Sequence, residues 1–204
     1  MEKYKEMLAR QLPANAVDRV FELIVQNKVN LIITRKRRSK LGDYRPGMSG
    51  RPERITVNHD LNPYSFLITF LHELAHQRVW SSGKKRLKPH GEHWQNEFQN
   101  LLNPFLVPEI FPTEILDNLL KDGKKLFASS GADHGLSRIL KTYDSNQKAT
   151  LLEHLPDEAH FKLPDGRVFR RLQKRRKNYL CFCLTNGRKY IFNPLAEVIP
   201  SEEH

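Results

Sequence analysis

Apolar residues in the first part of the chain recur at three- and four-residue spacing. Val17, Val20, Phe21, Ile24 and Val25 predict a helical face within residues 3–27, with a break near Pro13. The pattern then shortens. Leu31-Ile32-Ile33-Thr34-Arg35 and Arg54-Ile55-Thr56-Val57-Asn58 predict strands around 30–35 and 53–58. Between them lies a polar, turn-rich excursion containing Gly42-Asp43-Tyr44-Arg45-Pro46-Gly47. Helical spacing returns over 63–80, where Phe66, Leu67, Phe70, Leu71 and Leu74 make a broad apolar stripe. Asn62 stands at the N-cap and Pro63 at the first helical position, both favoured there. A second helix is expected over about 91–102, followed by Pro104, Pro108 and Pro112. Further helices are expected over 113–121 and 134–143, with a linker across 122–133.

From about residue 146 the period changes again. Segments 159–163, 166–174, 178–185, 188–193 and 195–199 read as short strands, with turns at Asp165-Gly166 and Asn186-Gly187. Five short strands in about fifty residues suggest a small SH3-like or OB-like barrel. The expected fold class is α+β. A helical domain with a β-hairpin fills residues 1–122, a linker with a short helix 123–145, and the β module 146–204.

The segment over 63–80 also carries chemistry. His72-Glu73-Leu74-Ala75-His76 is an H-E-x-x-H run. On a helix His72 and His76 stand one turn apart on a single face, where both can reach one metal ion. Glu73 is rotated off that face and stands beside the ion. Zinc-dependent hydrolysis needs this combination of two neutral imidazoles and a carboxylate that takes a proton from water. A catalytic site wants a third protein ligand. His90, His93 and Glu97 all follow in the stretch after Pro89, and spacing does not choose among them.

His72–His76 followed by His90-Gly91 and then Trp94 resembles the SprT-like (Spartan-type) zinc metalloproteases, whose pattern is H-E-x-x-H, a variable loop, then H-G-x-x-aromatic. The resemblance covers roughly residues 10–110, and the strands around 30–35 and 53–58 look like that family's hairpin before the active-site helix. It implies a zincin-like domain with one zinc per chain on His72, His76 and His90, and Glu73 as the catalytic base. It further implies proteolysis of DNA-associated or DNA-crosslinked proteins, stimulated by nucleic acid. The chain departs from many bacterial members at its end. Those carry a zinc ribbon of two Cys pairs, whereas Cys181 and Cys183 are the two cysteines here.

Charge adds a partner. Thirty-four Lys and Arg against 23 Asp and Glu leave a net charge of +11, which points to an anionic partner, DNA or RNA. Three clusters carry it: Arg35–Lys40; Lys84, Lys85, Arg86 and Lys88; and Arg170, Arg171, Arg175 and Arg176 in the β module. Tyr179, Phe182 and Tyr190 are interleaved with the last cluster, as single-strand binding on a small barrel requires, although aromatics there also fill barrel cores. Two cysteines are too few for a disulfide framework, and no signal peptide or membrane-length apolar run is visible. The expected setting is a reducing, cytoplasmic one without membrane contact. The competing expectation is a nucleic-acid-binding protein whose metal site is only structural. Glu73 argues for the enzyme, because a structural site has no need of a carboxylate there.

Overall fold

The computed structural model describes residues 1–37, 40–47, 51–83, 88–122, 134–145 and 149–201. The chain forms two compact units, Met1–Ala132 and Asp133–His204. Among the described residues they hold six α-helices and two sheets, an α+β fold. No described helix is long and apolar enough to cross a membrane.

The first unit opens with α1 (Glu2–Ala9), a 3-10 turn after Pro13, and α2 (Val17–Gln26). Strands β1 (Asn30–Thr34), β2 (Gly42–Arg45) and β3 (Arg54–Asn58) follow, then α3 (Pro63–Ser81), α4 (Glu92–Leu102) and α5 (Thr113–Asp122). The expected hairpin between residues 30–35 and 53–58 is corrected by the pairing. β1 and β3 run parallel, and β2, which falls in the expected turn-rich excursion, pairs antiparallel with β3. The sheet order is β1-β3-β2, so β2 is an edge strand.

α3 starts where its cap dictates. Asn62 Oδ1 accepts from the Ser65 amide at 2.9 Å, and Pro63 occupies the first turn. Its burial exceeds a single stripe. Phe66 through Leu71 are all buried, as are Leu74 and Ala75, because the sheet covers one side and α4 the other. The polar groups on its C-terminal half are thereby held in rigid positions.

The second unit contains α6 (Gly135–Lys141), β4 (Thr150–Leu151), β5 (His160–Lys162), β6 (Val168–Arg175), β7 (Asn178–Cys183), β8 (Lys189–Phe192) and β9 (Glu197–Ser201). α6, expected in the linker, is tied into this unit by Arg138 on Glu153 and Lys141 on Glu197. The six strands form one sheet in the order β4-β9-β5-β6-β7-β8. Among the described residues no pairing of the end strands closes it, so the sheet is open where a barrel was expected. It is nevertheless strongly curled. β5 and β8 would be about 14 Å apart in a flat sheet, yet the rings of Phe161 and Phe192 lie 5.6 Å apart across the inner face. Leu152, Phe161, Phe169, Tyr179, Cys181, Cys183 and Val198 fill that concavity. Both cysteines are free thiols pointing into this core, as their spacing on one strand predicts.

Candidate metal centre

His72 and His76 project from one face of α3, one turn apart. His90 reaches them from the turn Lys88-Pro89-His90-Gly91 that leads into α4. The three Nε2 atoms lie 3.3, 3.1 and 3.1 Å from one another, close enough to hold a metal ion together. The turn closes with the Gly91 amide donating to the Lys88 carbonyl at 2.9 Å. Pro89 pre-sets its first central position, and His90 adopts a left-handed φ of 58°, as the second central position of a type II turn requires. Gln95 Nε2 donates to the His90 carbonyl at 2.9 Å and fixes the ring's origin. Gly91 has a steric reason to follow: a Cβ there would sit 2.9 Å from the Lys88 carbonyl oxygen. The His-Gly pair is thus one geometric device, with the ligand in the strained position and the glycine allowing the turn to close behind it.

Trp94, buried on α4, forms the floor. Its ring centroid lies 4.6, 5.3 and 4.6 Å from those of His72, His76 and His90, and it stacks on Phe98 from behind. Burial pushes the His72 imidazole down to about 3, helped by the neighbouring His76 and His90. Burial, with His90 beside it, pushes His76 down to about 4. His90 is likewise lowered by burial. All three rings are therefore neutral near pH 7, the form that binds metals.

Glu73 lies beside the triad under the edge strand. The Tyr44 amide of β2 donates to Glu73 Oε2 at 2.8 Å. Burial raises this carboxyl to about 7, and the Tyr44 bond holds the rise in check. Gly42 makes the approach possible. A Cβ at that position would meet Thr69 Cγ2 at 2.7 Å and the Glu73 Cγ and Oε1 at 2.8 Å. An open cleft of about 560 Å³ lies over this group, lined on one side by Gly42, Tyr44 and Pro46 and on the other by Trp80, Lys88 and Pro89.

The other candidate ligands are elsewhere. His93 is exposed and outside the triad. Glu97 faces Arg78 at 3.7 Å. Tyr44 lines the cleft, but its hydroxyl donates to Glu53 Oε2 at 3.1 Å, and Glu53 in turn accepts from Gln77. Trp80 is 39% exposed on the cleft rim. Gly42 and the Tyr44 amide were invisible in the sequence, because their role depends on a strand pairing that no local pattern announces.

The expected nucleic-acid residues separate. Lys84, Lys85 and Arg86 lie outside the described residues, and Lys88 is exposed at the cleft rim. In the second unit Arg175 and Arg176 are exposed around the β6–β7 turn. Arg170 lies on the outer face of the sheet, 3.3 Å from Glu158. Arg171 corrects the expectation. It points into the core at 8% exposure, donates to Asp157 at 2.9 Å, and lies 4.1 Å over the Tyr179 ring, so it is not available to a phosphate. Strand alternation carries this signal: adjacent Arg170 and Arg171 must face opposite ways. The register also places His160, Arg170, Phe182 and Lys189 in one row across β5, β6, β7 and β8 on the outer face. Of the interleaved aromatics, Tyr179 is core and Phe182 faces outward.

Compared with protein-family models, curated proteins and solved structures, the chain finds no match.

Proposed function

We propose that this chain is a zinc-dependent endopeptidase of the SprT-like type, acting on proteins bound or crosslinked to nucleic acid, with nucleic acid stimulating cleavage. The observation that carries this reading is the convergence of three neutral imidazole nitrogens beside a buried carboxylate at the base of an open cleft. Zinc suits the set. Tetrahedral geometry with Zn–N bonds near 2.05 Å puts ligand nitrogens about 3.3 Å apart, against 3.1–3.3 Å between these nitrogens. His72, His76 and His90 would hold one ion per chain. Zinc bound there supplies Lewis acidity, polarising the scissile carbonyl and making water more acidic.

The protein's own groups do the rest. Glu73 Oε2 is held by the Tyr44 amide, which leaves Oε1 to take a proton from water and pass it to the leaving amine. Burial makes this carboxylate a stronger base than an exposed one, which suits it to accept that proton. The outer edge of β2 lines the cleft, where an extended peptide can add as a further strand. The +11 net charge, the exposed Arg175, Arg176 and Lys88 and the half-buried Arg170 support a nucleic-acid partner, single-stranded DNA or RNA. On this reading the first unit is a zincin-like SprT domain, and the second is a curled relative of the small SH3-like or OB-like barrels.

The test combines metal analysis with cleavage of an unstructured protein, with and without single-stranded DNA. The expected outcome is near-stoichiometric zinc in the wild type and in Glu73→Gln, with cleavage abolished in the variant. An amide can orient water but cannot take its proton. Zinc-loaded wild type that cleaves nothing under either condition would leave a structural metal site on a nucleic-acid-binding protein.

A further inference from the structure

The outer face of the three-stranded sheet, opposite α3, carries a second depression of about 280 Å³. Asn30, Ile32, Arg45, Arg51 and Arg54 line it, together with Pro46 and Pro52. The strand register explains the cluster. Asn30 pairs with Arg54 and Arg54 with Arg45, so one row crosses all three strands with two arginines side by side. Directly opposed residues of neighbouring strands stand about 5 Å apart at Cβ, where like charges destabilise the pair. Compensation is thin. Arg45 shares Asp43 with Lys40, at 2.8 and 2.7 Å. Arg51 and Arg54 have no ion pair among the described residues.

Three guanidinium groups around one concavity, two of them with no ion pair among the described residues, suit a tetrahedral oxyanion. Each planar fork offers paired donors that match phosphate oxygens. Pro46 and Pro52 stiffen the rim, so little order must be gained on binding. Pro46 also lines the catalytic cleft, which puts the two sites back to back across the end of β2.

We propose that Arg45, Arg51 and Arg54 hold a backbone phosphate of a single-stranded nucleic acid, and so carry the strand past the mouth of the cleft. The inference rests on the nucleic-acid part of the proposed function and gives it a place. It also accounts for how a protein attached to the strand is brought to Glu73: the phosphate grip raises the concentration of attached chain at the edge of β2.

The experiment uses full-length protein and a fluorescein-labelled dT20 oligonucleotide, with anisotropy read across a salt series. Arg51→Gln/Arg54→Gln is expected to weaken binding about tenfold at 50 mM salt. It should also flatten the logarithmic salt slope by roughly 0.7 for each lost phosphate contact. Arg51→Lys/Arg54→Lys restores the slope but not the full affinity, because it keeps charge and loses the fork. Metal content and cleavage without nucleic acid stay at the wild-type level, and the stimulation by dT20 falls.

Several outcomes would overturn the assignment. Equal affinity and slope in wild type and the glutamine variant remove the pocket while leaving the peptidase reading intact. Equal weakening by Lys3→Gln/Arg10→Gln, on the exposed surface of α1, reduces the effect to net charge. Displacement of dT20 by millimolar inorganic phosphate identifies a small-anion site instead. Unchanged dT20 binding with lost cleavage of acidic peptides makes it a side-chain specificity pocket. A wild type that does not bind dT20 removes the nucleic-acid partner altogether, whereas zinc-dependent cleavage would still be measurable.

Discussion

Gly42→Ala is the smallest change that should separate the catalytic geometry from the fold. The added Cβ would stand 2.7 Å from Thr69 Cγ2 and 2.8 Å from the Glu73 Cγ and Oε1. Carbon atoms in ordinary contact are about 3.5–4.0 Å apart, so about 1 Å must be found. Thr69 and Glu73 are both buried on α3 and cannot swing into solvent. Gly42 does not have a left-handed φ, so alanine brings no backbone strain of its own and the cost is steric. Either β2 lifts from α3 or the Glu73 side chain rotates, and both break the 2.8 Å bond from the Tyr44 amide. Overpacking of this kind destabilises by about 1–3 kcal/mol. If that energy falls on the placement of the carboxylate, cleavage drops between about fivefold and 150-fold, at 1.36 kcal/mol per decade. The assay is kcat on an unstructured protein substrate, read beside zinc content and thermal melting. Zinc should stay stoichiometric, because the triad lies on the other side of Glu73. A variant that melts lower but retains the wild-type kcat would show that Gly42 is packing alone and that the Tyr44 amide does not position the base.

Three further outcomes are expected. His90→Ala should lose most bound zinc while His93→Ala keeps it, by elemental analysis; the reverse pattern would move the third ligand onto α4. Arg171→Met should destabilise the second unit by about 1–3 kcal/mol through lost packing and ring contact, read as a lower melting temperature. Its exposed partner Asp157 contributes little, and dT20 affinity should be unchanged; lost affinity with unchanged melting would reverse the assignment. In the metal-free protein, His72 and His76 lie far below their ordinary 6.5, so their contribution is present above pH 6.5 and lost as pH falls through about 4 for His76 and about 3 for His72. Glu73, raised from 4.5 to about 7, acts the other way: its contribution is present below pH 4.5 and lost as pH rises to about 7. Glu73→Gln should therefore gain stability with pH more steeply than wild type between 4.5 and 6.5. Parallel melting profiles would contradict the raised carboxyl.

What was legible in the sequence had local causes. Asn62-Pro63 and the apolar run place α3 within a residue at its end, and the i, i+4 histidines follow from helical geometry alone. His90 required the resemblance, since its reach depends on a left-handed turn closed by Gly91, and spacing cannot report a φ angle. β2 was read as a turn because Gly42-Asp43-Tyr44-Arg45 is short and polar. It is a strand because β3 offers it a ladder, a tertiary effect that strand propensity does not carry. The parallel pairing of β1 and β3 was hidden for the same reason, since alternation has no direction. In the second unit alternation predicted the strands, and treating Arg170, Arg171, Arg175 and Arg176 as one cluster ignored what alternation says about faces. Arg45 was not grouped with Arg51 and Arg54 because it belongs to a different segment until β2 pairs with β3.

The centre also gathers several locally unfavourable features in one place. Three neutral imidazoles turn Nε2 toward one point. If all three carry lone pairs there, those lone pairs repel. If one carries a proton, a single hydrogen bond leaves the third nitrogen unmatched. Glu73 is buried with no ion pair among the described residues, His90 holds a left-handed φ, and β2 approaches α3 so closely at Gly42 that any side chain there would clash. Each feature lowers stability by an amount of order 1 kcal/mol or more. Apolar residues at these positions, packed like Phe66 or Leu71 on the same helix, would make a more stable α3. Several such features around one open cleft mark it as organised around what binds there. A metal ion among the nitrogens would satisfy all three at once, and a water beside Glu73 would give the carboxylate a donor besides the Tyr44 amide.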